Sequence, residues 1–121
     1  MILVDTSIWI DHLKTADATL NSIIAEARLL THDFVIAELA MGQIAQRADF
    51  FRLLRTFPRA PTVNETGFLA FVDRHGLSAT GLGMADAHLL AGLAGQPGAM
   101  LWTRDRRLRT HAERIGVACY N

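Results

Sequence analysis

The sequence predicts an α/β domain: a central parallel sheet of four to five short strands flanked by about seven helices, spanning residues 1–121 as one unit. Three observations lead there. Short apolar or β-branched runs alternate with stretches whose apolar residues recur at helical spacing. The changeovers fall at Gly, Pro or side chains that cap helices. No repeat, low-complexity tract or linker divides the chain. Strands alternating with helices favour parallel pairing, because a parallel neighbour is reached only through a crossover. A chain of 121 residues buries about 65% of its unfolded surface, enough for one core.

Taken in order, Ile2-Leu3-Val4 reads as a strand ending at Asp5, and Thr6 and Ser7 offer caps for a helix carrying Ile8, Trp9 and Leu13. Residues 17–30 place Leu20, Ile23, Ile24 and Ala27 at helical spacing. Asp33 is the expected cap of a helix over Phe34–Gly42, and Arg47–Phe57 reads as a fourth helix. Pro58 and Pro61 bracket a break with a short strand at Ala60–Val63. Asn64 caps a helix that stops near His75-Gly76. Gly81-Leu82-Gly83 precedes the apolar helix Met84–Ala94, which ends at Gln96-Pro97-Gly98. Ala99–Thr103 is a strand, Asp105–Ile115 the last helix, and Val117–Tyr120 a final strand.

The balance of 12 Lys+Arg against 12 Asp+Glu, with 50% hydrophobic residues, excludes a disordered chain. No apolar run reaches the ~20 residues of a membrane span, and the start does not read as a signal peptide. The single Cys119 forms no internal disulfide and fits a cytoplasmic location. Zero net charge argues against a nucleic-acid partner until the chain is split. Residues 1–46 hold six acids against Lys14 and Arg28, whereas residues 47–121 hold ten Arg against six acids. Arg104, Arg106, Arg107 and Arg109 cluster in that basic half, where they are expected to position a nucleic-acid backbone.

The distribution of acids is the informative feature. Between Asp33 and Arg47 lie thirteen residues, of which Glu38 alone is charged. Between Arg74 and Arg104 lie twenty-nine, with Asp86 the only Asp, Glu, Lys or Arg, where the overall 20% would place about six. Helical spacing sets Glu38 on one face with Phe34, Val35, Met41 and Ala45, and Asp86 with Leu89, Leu90 and Leu93, so both are expected to point toward the core. An ionised carboxylate there needs compensation, and neither has a basic residue within a turn. Asp5 and Asp105 follow strands, and ligand sites of parallel sheets lie beyond the strand carboxyl ends. Gathered in one crevice, the four acids would raise one another's pKa unless a cation neutralised them. Carboxylates without His or Cys suit Mg²⁺ or Mn²⁺, ions that serve phosphoryl chemistry. For Asp5 the plainer alternative is a helix cap, for Glu38 a snorkelling side chain or an ion pair with a distant Arg, and for Asp105 a solvated N-cap.

Four pieces carry a resemblance: Met1-Ile2-Leu3-Val4-Asp5-Thr6-Ser7, Ile36-Ala37-Glu38-Leu39, Ala85-Asp86-Ala87-His88-Leu89-Leu90-Ala91 and Thr103-Arg104-Asp105-Arg106-Arg107-Leu108. In this order and spacing the chain resembles a PIN-domain ribonuclease of the kind that serves as toxin in VapBC-type toxin–antitoxin pairs. The resemblance implies Asp5, Glu38, Asp86 and Asp105 as metal-binding catalytic acids for Mg²⁺ or Mn²⁺, with Thr103, Thr6 and Ser7 supporting the pocket. It implies hydrolysis of RNA by metal-activated water, a second copy of the chain as a homodimer partner, and a VapB-type antitoxin whose C-terminal segment covers the acidic pocket. Many relatives carry a further acid where this chain has Arg107, which bears on whether a second ion binds. A housekeeping PIN nuclease without antitoxin and a non-catalytic PIN-fold binding module are the alternatives.

Other constellations are weaker. His12, His32, His75, His88 and His111 show no zinc spacing and read as surface or partly buried imidazoles. Gly81-Leu82-Gly83 lacks a phosphate-loop lysine, and Cys119 lacks a base. Ile8-Trp9-Ile10 exceeds what one helix face can bury, leaving open whether Trp9 is core or partner surface.

Overall fold

The computed structural model describes residues 1–121. Its elements run β1 (Ile2–Val4), α1 (Thr6–Lys14), α2 (Ala18–Ala25), β2 (Leu29–Leu30), α3 (Asp33–Ala40), α4 (Arg47–Leu54), α5 (Glu65–His75), α6 (Met84–Ala94), β3 (Met100–Trp102) and α7 (Arg106–Arg114). The sheet has three strands in the order β2-β1-β3, all parallel, with Ile2 opposite Leu29 and Met100. The seven helices agree with the sequence; the strand count of four to five does not.

Two expected strands shrink to single bridges at the sheet edges. Thr31 pairs with Arg59 and Leu101 with Cys119, both parallel. Pro58 and Pro61 withhold two backbone donors around the first, so Ala60–Val63 cannot extend a ladder beyond the Ala60 N–H bonded to Thr31 O at 2.8 Å. The segment Val117–Tyr120 contributes one reciprocal pair of bonds with Leu101. Conversely, β2 lies where the apolar spacing predicted helix through residue 30. Ala27 adopts a left-handed conformation (φ 55°) that ends α2, freeing Leu29 and Leu30 to pair with β1. A strand of two residues carries no period of its own.

The central strand is buried throughout, and the core unites it with Ile8 and Trp9 of α1, Leu89 and Leu90 of α6, and Leu108 of α7. Each such fully buried apolar side chain contributes about 1.5–3 kcal/mol. Trp9 is core, 1% exposed and edge-on to Phe50, whereas Ile10 faces solvent. Ala87 through Leu93 are all buried, which explains why α6 is apolar around its whole circumference. Its approach to the neighbouring loop is close: a Cβ on Gly92 would meet Pro61 O at 2.6 Å.

Caps depart from expectation at two helices. The carboxylate of Asp33 is taken by Arg59 and the Thr62 hydroxyl, and the Phe34 N–H donates instead to His32 Nδ1 at 2.9 Å. At α1 the N-cap residue is Asp5, yet no side chain caps the helix; Thr6 and Ser7 spend their hydroxyls elsewhere. Asn64 and Gly76 bound α5 as the sequence implies.

Candidate active site

Because the chain passes from β1 to β2 on one side and later to β3 on the other, a crevice opens beyond the carboxyl end of β1. Asp5 sits there, 4% exposed. Its Oδ2 accepts hydrogen bonds from the Thr103 hydroxyl at 2.6 Å and the Ser7 hydroxyl at 3.0 Å. The Asp105 N–H donates to Thr103 Oγ1 and the Arg104 N–H to Ser7 Oγ, at 3.0 and 3.2 Å, so both hydroxyls are themselves oriented. Helix α3 delivers Glu38, whose Oε1 accepts from the Thr6 hydroxyl at 3.1 Å. Helix α6 delivers Asp86 from its first turn.

One carboxylate oxygen from each of Asp5, Glu38 and Asp86 lies within 4.8 Å of the others. Burial, followed by the charges of Asp5, Glu38 and Asp105, pushes the Asp86 carboxyl up to about 7. Burial also raises Glu38, opposed by the Thr6 hydrogen bond and helped by Asp5. Glu38 does not point into the core as its helical position suggested. It is exposed at the pocket mouth. Helix α3 ends at Ala40, so Met41 and Ala45, which the spacing placed on its face, lie beyond the helix and in solvent.

Asp105 stands apart from the three. Its Oδ1 accepts the N–H groups of Arg107 and Leu108 at 2.9 and 3.1 Å, capping α7, while its charge still reaches Asp86. The expected basic cluster is unevenly engaged. Arg104 donates to Asp11 at 2.8 Å and to Asp17 at 3.1 Å, Arg107 to Gly81 O at 3.0 Å, and Arg109 to Glu113 and Asn121 O. Arg106 is exposed and makes no side-chain hydrogen bond or ion pair.

Two histidines depart from the surface reading. His32 is fully buried, and His88 is buried between Phe34 and Phe68 with ring centroids at 4.3 and 3.9 Å. Desolvation lowers both below the usual imidazole range. The signal for His88 was its place in the charge-free window around Asp86. A groove of about 450 Å³, lined by Ile10, Leu13, Leu39 and Ile44, also opens beside Glu38 and had no sequence signature beyond the surplus of apolar residues on α1.

The PIN domain family matches residues 2–114. The chain belongs to the PIN-domain family. Within it, this PIN domain is 45% identical over 118 residues to Ribonuclease VapC32 of Mycobacterium tuberculosis, in both strains CDC 1551 / Oshkosh and ATCC 25618 / H37Rv, covering 98% of this chain and 95% of the relative. It also superposes on the crystal structure of PAE2754 from Pyrobaculum aerophilum with a TM-score of 0.58 over 91% of this chain and 83% of that one, at 20% identity, which shows a shared fold. No helix of this PIN domain is long and apolar enough to cross a membrane.

Proposed function

We propose that this chain is a Mg²⁺- or Mn²⁺-dependent endoribonuclease acting as the toxin of a VapBC-type pair. The observation that carries this is the convergence of Asp5, Glu38 and Asp86 within 4.8 Å, in a PIN domain 45% identical to a VapC ribonuclease. The donor set fits a hard cation: it is all oxygen, and burial followed by mutual repulsion, which together raise the Asp86 carboxyl, call for a positive charge. A divalent ion bound there would supply an activated water and neutralise charge on the scissile phosphate. Asp5, with Oδ2 fixed by two hydroxyls, Glu38, steadied by Thr6, and Asp86 would hold the ion, with Asp86 in its ionised form. Asp105 contributes charge from the rim as the fourth acid of the site. With Arg107 drawn to Gly81 O rather than replaced by an acid, the pocket is proposed to hold one ion.

Arg106 is the guanidinium free to take an RNA phosphate, with Arg107 giving up one exposed bond and Arg109 two to join it. The groove beside Glu38 fits the C-terminal segment of a VapB-type antitoxin, being apolar along Ile10, Leu13, Leu39 and Ile44 and including Glu38 of the acid cluster. A homodimer is supported by α5, which buries no residue completely within the chain and leaves Leu69 more than half exposed. A cytoplasmic location accords with the free thiol of Cys119. The decisive experiment maps RNA ends after brief expression of the wild type and of Asp86→Ala, alongside cleavage by purified protein with Mn²⁺ and with EDTA. New ends that appear only with wild type, and cleavage that EDTA stops, are expected. Mn²⁺ binding without cleavage of any RNA would establish a binding module instead.

A further inference from the structure

Arg104 is expected from sequence to grip RNA, yet its guanidinium is already committed. It joins Asp11, at the middle of α1, to Asp17, the cap residue of α2, and lies 5.9 Å from the Trp102 ring centroid. Two acids against one guanidinium leave that spot net negative, which repels phosphate. Asp17 is well anchored: its side chain accepts the Leu20 N–H, its own N–H donates to His12 Nδ1, and the Leu20 and Arg104 bonds hold its carboxyl below the usual carboxylate range. The backbone on either side of Arg104 is the scaffold of Asp5. Thr103 supplies the 2.6 Å donor, the Arg104 N–H orients Ser7, and the Asp105 N–H orients Thr103.

We propose that Arg104 is a positioning residue rather than an RNA contact: its bridge from Asp11 to Asp17 holds the Thr103–Asp105 turn so that both hydroxyls donate to the same oxygen of Asp5. The proposal rests on the reading that Asp5 is a metal ligand. Removing the bridge frees the turn, lets Thr103 and Ser7 rotate, and loosens the Asp5 carboxylate from its place beside Glu38 and Asp86. Outer hydrogen-bond partners of this kind typically change metal affinity by about 10–100-fold.

The test separates the two roles by opposite signs. Asp11→Asn with Asp17→Asn breaks the bridge from the acidic side and leaves the arginine, whereas Arg104→Met removes the arginine. Positioning requires both variants to weaken Mn²⁺ binding about tenfold and to lower kcat by a similar factor with KM for RNA nearly unchanged. Both must also speed exchange of the backbone amides at position 104 and at Asp105 in metal-free protein, while RNA affinity of Arg104→Met in EDTA stays within about twofold of wild type. Arg104→Lys, which can still reach one acid, should recover part of the loss. An RNA contact requires the reverse: Arg104→Met weakens RNA binding in EDTA, the double Asn variant tightens it, and Mn²⁺ affinity and amide exchange do not move. That result overturns the proposal. Wild-type protein that fails to bind Mn²⁺ would instead defeat the metal-site reading, and the amide-exchange comparison would still decide whether the bridge orders the turn. If the double variant does not fold, Arg104→Met beside Arg104→Lys carries the comparison, with unchanged exchange and Mn²⁺ affinity in Arg104→Met overturning the proposal.

Discussion

Asp5 and Asp105 occupy the same local position. Each follows a strand of the sheet, each is the N-cap residue of the next helix, and each adjoins the crevice. Their carboxylates are used differently. Asp105 takes two N–H groups of its own helix. Asp5 caps nothing through its side chain and accepts instead from hydroxyls of Ser7 and Thr103, the latter 98 positions away. The difference teaches that at a strand-to-helix junction an acid becomes available to a ligand when its helix goes without it. The energy of a cap, about 1 kcal/mol, is given up at α1 and kept at α7.

The contrast can be broken most forcefully at Asp5. Asp5→Ala is expected to abolish Mn²⁺ binding and reduce RNA cleavage by about 10³-fold, measured by calorimetry and gel-based cleavage. Because a like charge leaves the cluster, the metal-free variant should melt no lower than wild type; a large loss of stability would mean that Asp5 serves the fold first. Next comes Thr103→Val, which deletes the 2.6 Å donor from a buried carboxylate. A loss of about 1.5–3 kcal/mol in urea titration and about 10–100-fold in activity is expected.

The third prediction concerns protons. The folded, metal-free protein holds the Asp86 proton up to about pH 7, whereas the unfolded chain releases it near 3.8. The Asp86 contribution to the stability of the metal-free protein should therefore fall as pH rises from about 4 to 7, by on the order of 2–4 kcal/mol. Saturating Mn²⁺ should flatten that contribution, and because buried His32 and His88 act with the opposite sign, it is read as the difference between wild type and Asp86→Asn; a difference that does not shrink as pH rises across the interval would contradict the burial of Asp86. The smallest effect sharpens the comparison from the other side. Asp105→Ala should cost about 1 kcal/mol, whereas Asp105→Asn, also a good cap, should leave stability unchanged. If Asp105→Asn loses activity as Asp5→Ala does, Asp105 is a ligand as well as a cap.

What the sequence made legible follows from the length scale of each signal. The long charge-free windows around Glu38 and Asp86 marked both acids, since a charge inside a stretch built for burial needs a reason. Asn64, Gly76 and the bounds of α6 were readable because caps act over three or four residues. The cap of α3 was not, because the rival claim on Asp33 comes from Arg59, 26 positions away. Strand β2 escaped because Leu29 and Leu30 obtain their conformation from Ile2 and Leu3, not from a pattern of their own. The engagement of Arg104 with Asp11 and Asp17 is equally a property of the folded chain, since these residues lie about ninety positions apart.

The pairing of β1 with β3 has a consequence for synthesis. Residues 2–4 find their second neighbour only when residues 100–102 have been made, and the hydroxyl that fixes Asp5 comes one residue later. Contacts of such sequence separation form late and slowly. On the proposed reading of Asp5 as a metal ligand, a ribosome translating this chain carries the first acid from the start, but the cleft is complete only once residues up to about 105 have emerged, and growing chains are expected not to cleave the RNA around them.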